Sequence, residues 1–115
     1  MSSSRFRKIA LALPGAVEGA HQGTADFRIG KRIFATIGYP DDDWGMVKLT
    51  PEQQTVLVEA EPEIFRPVPG GWGKHGNTNV RLATADAKTL RSALTMAWKN
   101  VAPKMPVSAR GKQRS

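Results

Sequence analysis

The segment from Phe27 to Ile37 limits this chain more than any other. Phe27 and Ile29 alternate with Asp26 and Arg28, and Ile33, Ala35 and Ile37 alternate with Arg32, Phe34 and Thr36. A period of two sends successive side chains to opposite faces of a strand, so the pattern predicts two half-buried strands. Gly30-Lys31 joins them, with glycine supplying the positive φ of a tight hairpin turn. The hairpin predicts the centre of an antiparallel sheet. Its inward set is Phe27, Ile29, Ile33, Ala35 and Ile37; Arg28 and Phe34 face outward.

Helical patterns flank it. Phe6, Ile9, Ala10 and Leu13 recur on one face of a first helix, capped by Ser3 or Ser4 and stopped by Pro14-Gly15. Residues 16–24 read as a connection carrying Glu18 and His21. Residues 38–43 have turn chemistry, and residues 44–49 read as a third strand. Thr50-Pro51-Glu52-Gln53 is a capping box with proline at the first helical position, opening a helix over about residues 51–60. Val56, Leu57 and Ala60 form its expected inner face, and Pro62 ends it. Residues 64–68 suit a short edge strand, where Pro67 and Pro69 are tolerated. A glycine-rich loop, 70–77, leads to a fifth strand, 78–82. Thr84 or Asp86 caps the last helix, whose Leu90, Ala93, Leu94, Ala97, Trp98 and Val101 form one stripe up to Pro103.

These elements predict an α+β fold in the order α-β-β-β-α-β-β-α. A single antiparallel sheet of about five strands carries helices mainly on one face. A chain of 115 residues is one domain. That domain is expected over residues 1–103, with a disordered basic tail over 104–115, where apolar content is low.

Composition removes several functions. With no cysteine there is neither a disulfide framework nor a thiolate metal site. No apolar signal core follows Met1–Arg5 and no run approaches a membrane span, so a cytoplasmic protein without a membrane partner is expected. The net charge is +7. Lys104, Arg110, Lys112 and Arg114 lie in the tail with no acid among them, so more than half of that excess is a tail property. Such a tail favours polyanions without selecting among them.

The order of short motifs resembles a known family. Leu11-Ala12-Leu13-Pro14-Gly15 leads to Glu18; Phe27, Gly30-Lys31 and Phe34-Ala35 follow. Lys48-Leu49 then enters Pro51-Glu52, and Ala97-Trp98 precedes Val101-Ala102. Over about residues 5–104 this is similar to the MmcQ/YjbR family of small bacterial proteins. The resemblance implies an α+β fold similar to type III secretion chaperones and reminiscent of frataxin. It also implies a DNA-binding label, with no settled catalytic residue. The glycine-rich loop and the basic tail depart from the family's usual pattern.

The site chemistry follows from residue types. Arg28, Arg32, Lys48 and Arg81 lie on predicted strands. Arg28, Lys48 and Arg81 are outward in parity, as is Phe34, and cations beside an aromatic on a sheet face suit DNA or RNA. In the loop, Lys74 and His75 can meet phosphate while Trp72 stacks on a base or covers the core edge. The expected nucleic-acid set is therefore Arg28, Arg32, Phe34, Lys48, Trp72, Lys74, His75 and Arg81. Gly71-Trp72-Gly73-Lys74-His75-Gly76 spells G-x-G-x-x-G, but a strand follows it instead of a helix, so it is no dinucleotide site. Asp41–Asp43 with Glu52 has the spacing of a calcium loop, but Met46 stands where that loop needs glycine. His21 and His75 lack a second ligand at helical spacing, and no serine sits in a nucleophile elbow. No catalytic residue, cofactor or metal is expected. The other expected class is a protein-interaction module, which an exposed apolar patch of Phe34, Trp44 and Met46 would support.

Overall fold

The computed structural model describes residues 1–39 and 41–102. In chain order they hold α1 (Ser3–Leu11), β1 (Ala16–His21), β2 (Thr24–Ile29), β3 (Arg32–Ile37) and β4 (Trp44–Lys48), then α2 (Pro51–Ala60), β5 (Phe65–Pro67), α3 (Gly71–Lys74), β6 (Asn77–Arg81) and α4 (Ala87–Val101). The α+β class is as expected. The tail over 104–115 and the domain boundary before it lie outside the described residues.

The six strands form one sheet in the order β1-β2-β3-β4-β6-β5, and every neighbouring pair is antiparallel. The central hairpin is β2–β3, closed at Gly30, whose φ is 62°. β1 corrects the expected connection: Ala16–His21 pairs along its whole length with β2. Its turn uses Gln22 and Gly23, both at positive φ, the requirement of a type I′ hairpin. The strand escaped the periodicity argument because it is an edge strand with no fully buried residue. With neither face buried, alternation is not imposed on its sequence.

The caps explain where the helices begin. Ser2, one residue before the expected position, accepts from the Arg5 amide at 3.1 Å. Thr50 and Gln53 form the reciprocal capping box. Asp86 accepts from the Thr89 amide at 2.8 Å, so Asp86 and not Thr84 caps α4. The predicted α4 stripe holds, with Leu90, Ala93, Leu94, Ala97 and Val101 buried. Trp98 is half-buried and donates its indole N–H to the Pro14 carbonyl at 2.8 Å. The inner face of α2 differs. Val56 and Ala60 are exposed, and Gln53, Gln54, Leu57 and Val58 are the half-buried side. Gln54 explains the rotation, since its amide donates to the carbonyls of Gly73 and Asn77 and to the Thr78 hydroxyl.

α1 and α4 pack on one face of the sheet. Phe6 lies 5.9 Å from Phe27, ring to ring, and the core joins Phe27, Ala35, Val47 and Val80 of the sheet to the helical stripes. Among the described residues no helix is long and apolar enough to cross a membrane.

A candidate nucleic-acid interface on the open sheet face

The register defines the face that α1 and α4 leave uncovered. One row runs straight across all six strands: Gly19, Asp26, Thr36, Met46, Asn79 and Arg66. The flanking rows add Val17, Arg28 and Ile33 on one side, and Trp44 paired with Arg81 on the other. Val17, Ile33, Trp44 and Met46 are outside the buried core and its packed margin, as expected for a face without helices.

At the β4-β6-β5 side of this face, two guanidiniums converge on one indole. The Arg66 and Arg81 Cζ atoms lie 5.2 and 5.1 Å from the Trp44 ring centre, within cation–π range. Antiparallel pairing places Arg81 directly opposite Trp44, and Arg66 reaches the ring from the adjoining edge strand. Among the described residues neither guanidinium has a carboxylate within 4.0 Å. Both arginines are exposed, while Trp44, Met46, Lys48 and Asn79 are half-buried.

At the β1-β2 side the charge is consumed internally. Arg28 donates Nε and Nη2 to the two oxygens of Asp26 at 2.6 and 3.0 Å, and His21 Nδ1 donates to the same carboxylate at 2.8 Å. Gly19 stands opposite Asp26, and a Cβ there would meet Asp26 Oδ1 and Arg28 Nε at 3.0 Å. The Arg28 hydrogen bonds hold the Asp26 carboxyl below its ordinary value, against the cost of covering it, and His21 adds to the effect. Asp26 is fully covered, but by its own partners at the surface of the sheet, so that cost does not win. The Arg28 guanidinium is raised in turn by Asp26. Arg28 thus sits on the expected face with its charge paired.

The other expected site residues are placed as follows. Phe34 is a correction: it is 0% exposed. Phe27 pairs with Ala35, but Arg28 pairs with Ile33, so Phe34 is the extra residue of a β-bulge. A bulge breaks the period of two. It turns Phe34 into the core, leaves Ile33 outside the core, and reverses the parity of Arg32 as well. Arg32 therefore pairs with Ile29, a residue packed against the core, and does not share the open face with Arg28. Lys48 and Arg81 are on the open face.

Trp72, Lys74 and His75 are exposed, but on a short helix and its cap instead of a loop. The glycines there serve packing. A Cβ on Gly73 or Gly76 would overlap the carbonyl oxygen of Val68 or Leu49, and Gly76 also has a φ of 104°. Among the described residues no three His, Asp or Glu side chains converge. The Asp41 carboxylate instead accepts from the Asp43 amide at 2.8 Å, a local turn bond.

Two contributors were missed by the sequence reading of this site, Trp44 as a cation platform and Arg66. The signal for Arg66 was its alternation with buried Phe65 on the predicted edge strand, which gives it the outward parity.

A family model described as YjbR matches residues 11–100. Among solved structures the chain is similar to the crystal structure of a Deinococcus radiodurans protein with a DUF419 domain. The TM-score is 0.76 at 23% identity, over 96% of this chain and 86% of that one. At that identity the likeness shows the fold. No curated protein matches the chain.

Proposed function

The chain belongs to the YjbR family, and from that premise we propose that it is a non-enzymatic protein that binds nucleic acid, through the open face of its sheet. The observation that carries this reading is the Trp44 cluster. Two arginines without acidic partners among the described residues are steered by one indole on an uncovered face. An arginine fork matches phosphate oxygens in two-point contacts. Side chains already ordered lose less entropy on binding. Lys48 adds a third cation on the same face, and the tail cations add non-specific attraction from outside the described residues.

The mode differs from the base stacking that Phe34 suggested. Phe34 is buried, and the Trp44 ring is engaged by guanidiniums. The sheet face then reads phosphates. Stacking is left to Trp72, which is 68% exposed next to Lys74 and His75. The protein-partner reading keeps only part of its motivating patch, since Phe34 is inside and Trp44 lies against two cations, while Met46 is half-buried on the open face.

The test is fluorescence anisotropy with short DNA and RNA, duplex and single-stranded, across a salt series. Arg66→Gln with Arg81→Gln is expected to weaken binding to all sequences alike. The logarithmic salt slope on duplex DNA should flatten by about 1.8, at about 0.9 per lost phosphate contact. Unchanged affinity and slope would overturn the sheet-face reading.

A further inference from the structure

The helical side of the domain carries a second concentration of cations. Neither α1 nor α4 contains an acid. On α4, Lys88, Ser92, Thr95 and Lys99 follow one another at spacings of four, three and four. At about 100° per residue this is one stripe, with Arg91 at its border. It lies opposite the buried stripe of Leu90, Leu94 and Val101 and lines a shallow depression. Lys88, Arg91, Ser92 and Lys99 are exposed. The adjoining α1 adds exposed Arg5 and Lys8. Among the described residues, Asp86 at the cap of α4 is already bonded to the Thr89 amide and hydroxyl, and Glu18 of β1 accepts from Arg7 of α1 at 2.9 Å.

We propose that this α4 stripe, with Arg5 and Lys8, is a second nucleic-acid surface on the side of the domain away from the open sheet face, so that one chain holds two duplex segments. The two-segment claim rests on the sheet-face reading; the α4 surface does not.

Dimensions and chemistry choose the occupant. Lys88 and Lys99 are eleven residues apart, about 16 Å along a helix at about 1.5 Å per residue. A DNA major groove is about 12 Å wide. With α4 lying across it, two long cationic side chains at that separation reach the phosphates on both rims, while small Ser92 and Thr95 between them leave the groove mouth unobstructed. The Thr95 hydroxyl is turned back to the Arg91 carbonyl at 2.7 Å, which leaves the Ser92 hydroxyl to meet the ligand. A helix that lies on an anionic membrane needs apolar residues to enter the acyl boundary. Here the apolar stripe of α4 is buried in the core, so duplex nucleic acid fits better.

The experiment uses the full chain with Lys104, Arg110, Lys112 and Arg114 changed to Gln in every arm, so that the tail cannot link two duplexes. Beads carrying one duplex are asked to capture a second, labelled duplex through the protein, and anisotropy reports binding of a single duplex. The parent should capture. Lys88→Gln with Arg91→Gln and Lys99→Gln should lose capture yet still bind one duplex through the sheet face. The same three changes added to Arg66→Gln with Arg81→Gln should flatten the salt slope of the remaining α4 binding by about 2.7, at about 0.9 per contact. Undiminished capture by that variant would overturn the proposal, as would absence of capture by the parent. Arg66→Gln with Arg81→Gln should also lose capture while keeping single-duplex binding through α4. If it instead binds and captures like the parent, the sheet-face reading fails, and with it the claim that the sheet holds the second segment. If the parent binds one duplex without capture and the α4 variant loses all binding, α4 is the sole surface and the two-segment claim fails. Binding to phosphatidylserine vesicles without binding to duplex would overturn the assignment of the occupant. Matching thermal unfolding curves for all variants confirm that these exposed changes leave the fold intact.

Discussion

Arg81 lies directly across the β4–β6 ladder from Trp44, with its guanidinium carbon 5.1 Å from the centre of the indole ring. A cross-strand pair is fixed by register, so the cation is aimed by the sheet. Arg28, one of the other open-face arginines, is aimed equally well but at Asp26, where its charge is spent. The two halves of one face therefore differ: one pairs its charge internally and the other offers it outward.

The Asp26 cluster predicts an acid-side stability slope. Its carboxyl is held below the ordinary value of 3.8. A depressed folded value contributes stability above the unfolded value and loses it as pH falls through the folded one. The denaturation midpoint should therefore fall as pH drops below about 3.8, and Asp26→Asn should show a smaller fall. Some fall should remain, because Asp86 is also held low by Thr89 and titrates in the same window. An identical fall in the variant would contradict the pairing.

The bulge predicts that Phe34 is structural. Phe34→Ala should cost about 3–5 kcal/mol, as for other buried aromatic truncations. Trp72→Ala, at an exposed ring, should stay within about 0.5 kcal/mol. Chemical denaturation of the two variants tests the contrast. Similar small losses would put Phe34 back on the surface.

The glycine-rich segment predicts an order of costs. Gly70 and Gly76 both have positive φ, but only at Gly76 would a Cβ overlap a neighbouring carbonyl, that of Leu49. Gly76→Ala should therefore destabilise by more than Gly70→Ala, and by more than about 1 kcal/mol. Equal losses would mean that φ alone matters there.

The second helix predicts a local effect. Thr50→Ala should cost about 1 kcal/mol and speed hydrogen exchange at the Gln53 amide, which bonds to the Thr50 hydroxyl at 3.1 Å. No change at that amide would mean the cap is not formed.

Much of the fold was legible because local chemistry and burial agreed. Thr50-Pro51 and the α4 stripe carry their own signals, and Gly30 announces its turn. β1 was hidden because an edge strand with no buried residue has no pattern to show. The inner face of α2 was misjudged because the polar Gln54, not an apolar residue, ties that helix to β6. The site was less legible. A single inserted residue, Phe34, reversed the face of everything from Ile33 back to Arg32, and sequence spacing carries no mark of a bulge. Arg66 and Trp44 come together from strands 22 positions apart in the chain, a proximity that only the β4-β6-β5 order creates.

The most direct measurement is amide and indole chemical-shift mapping of the isotope-labelled full chain during titration with a short duplex at low salt. The account predicts shifts at Trp44, including its indole N–H, and at Lys48, Arg66, Asn79 and Arg81, with Phe27 and Val47 of the covered face nearly unmoved. Saturable binding that leaves Trp44, Arg66 and Arg81 unperturbed would contradict it.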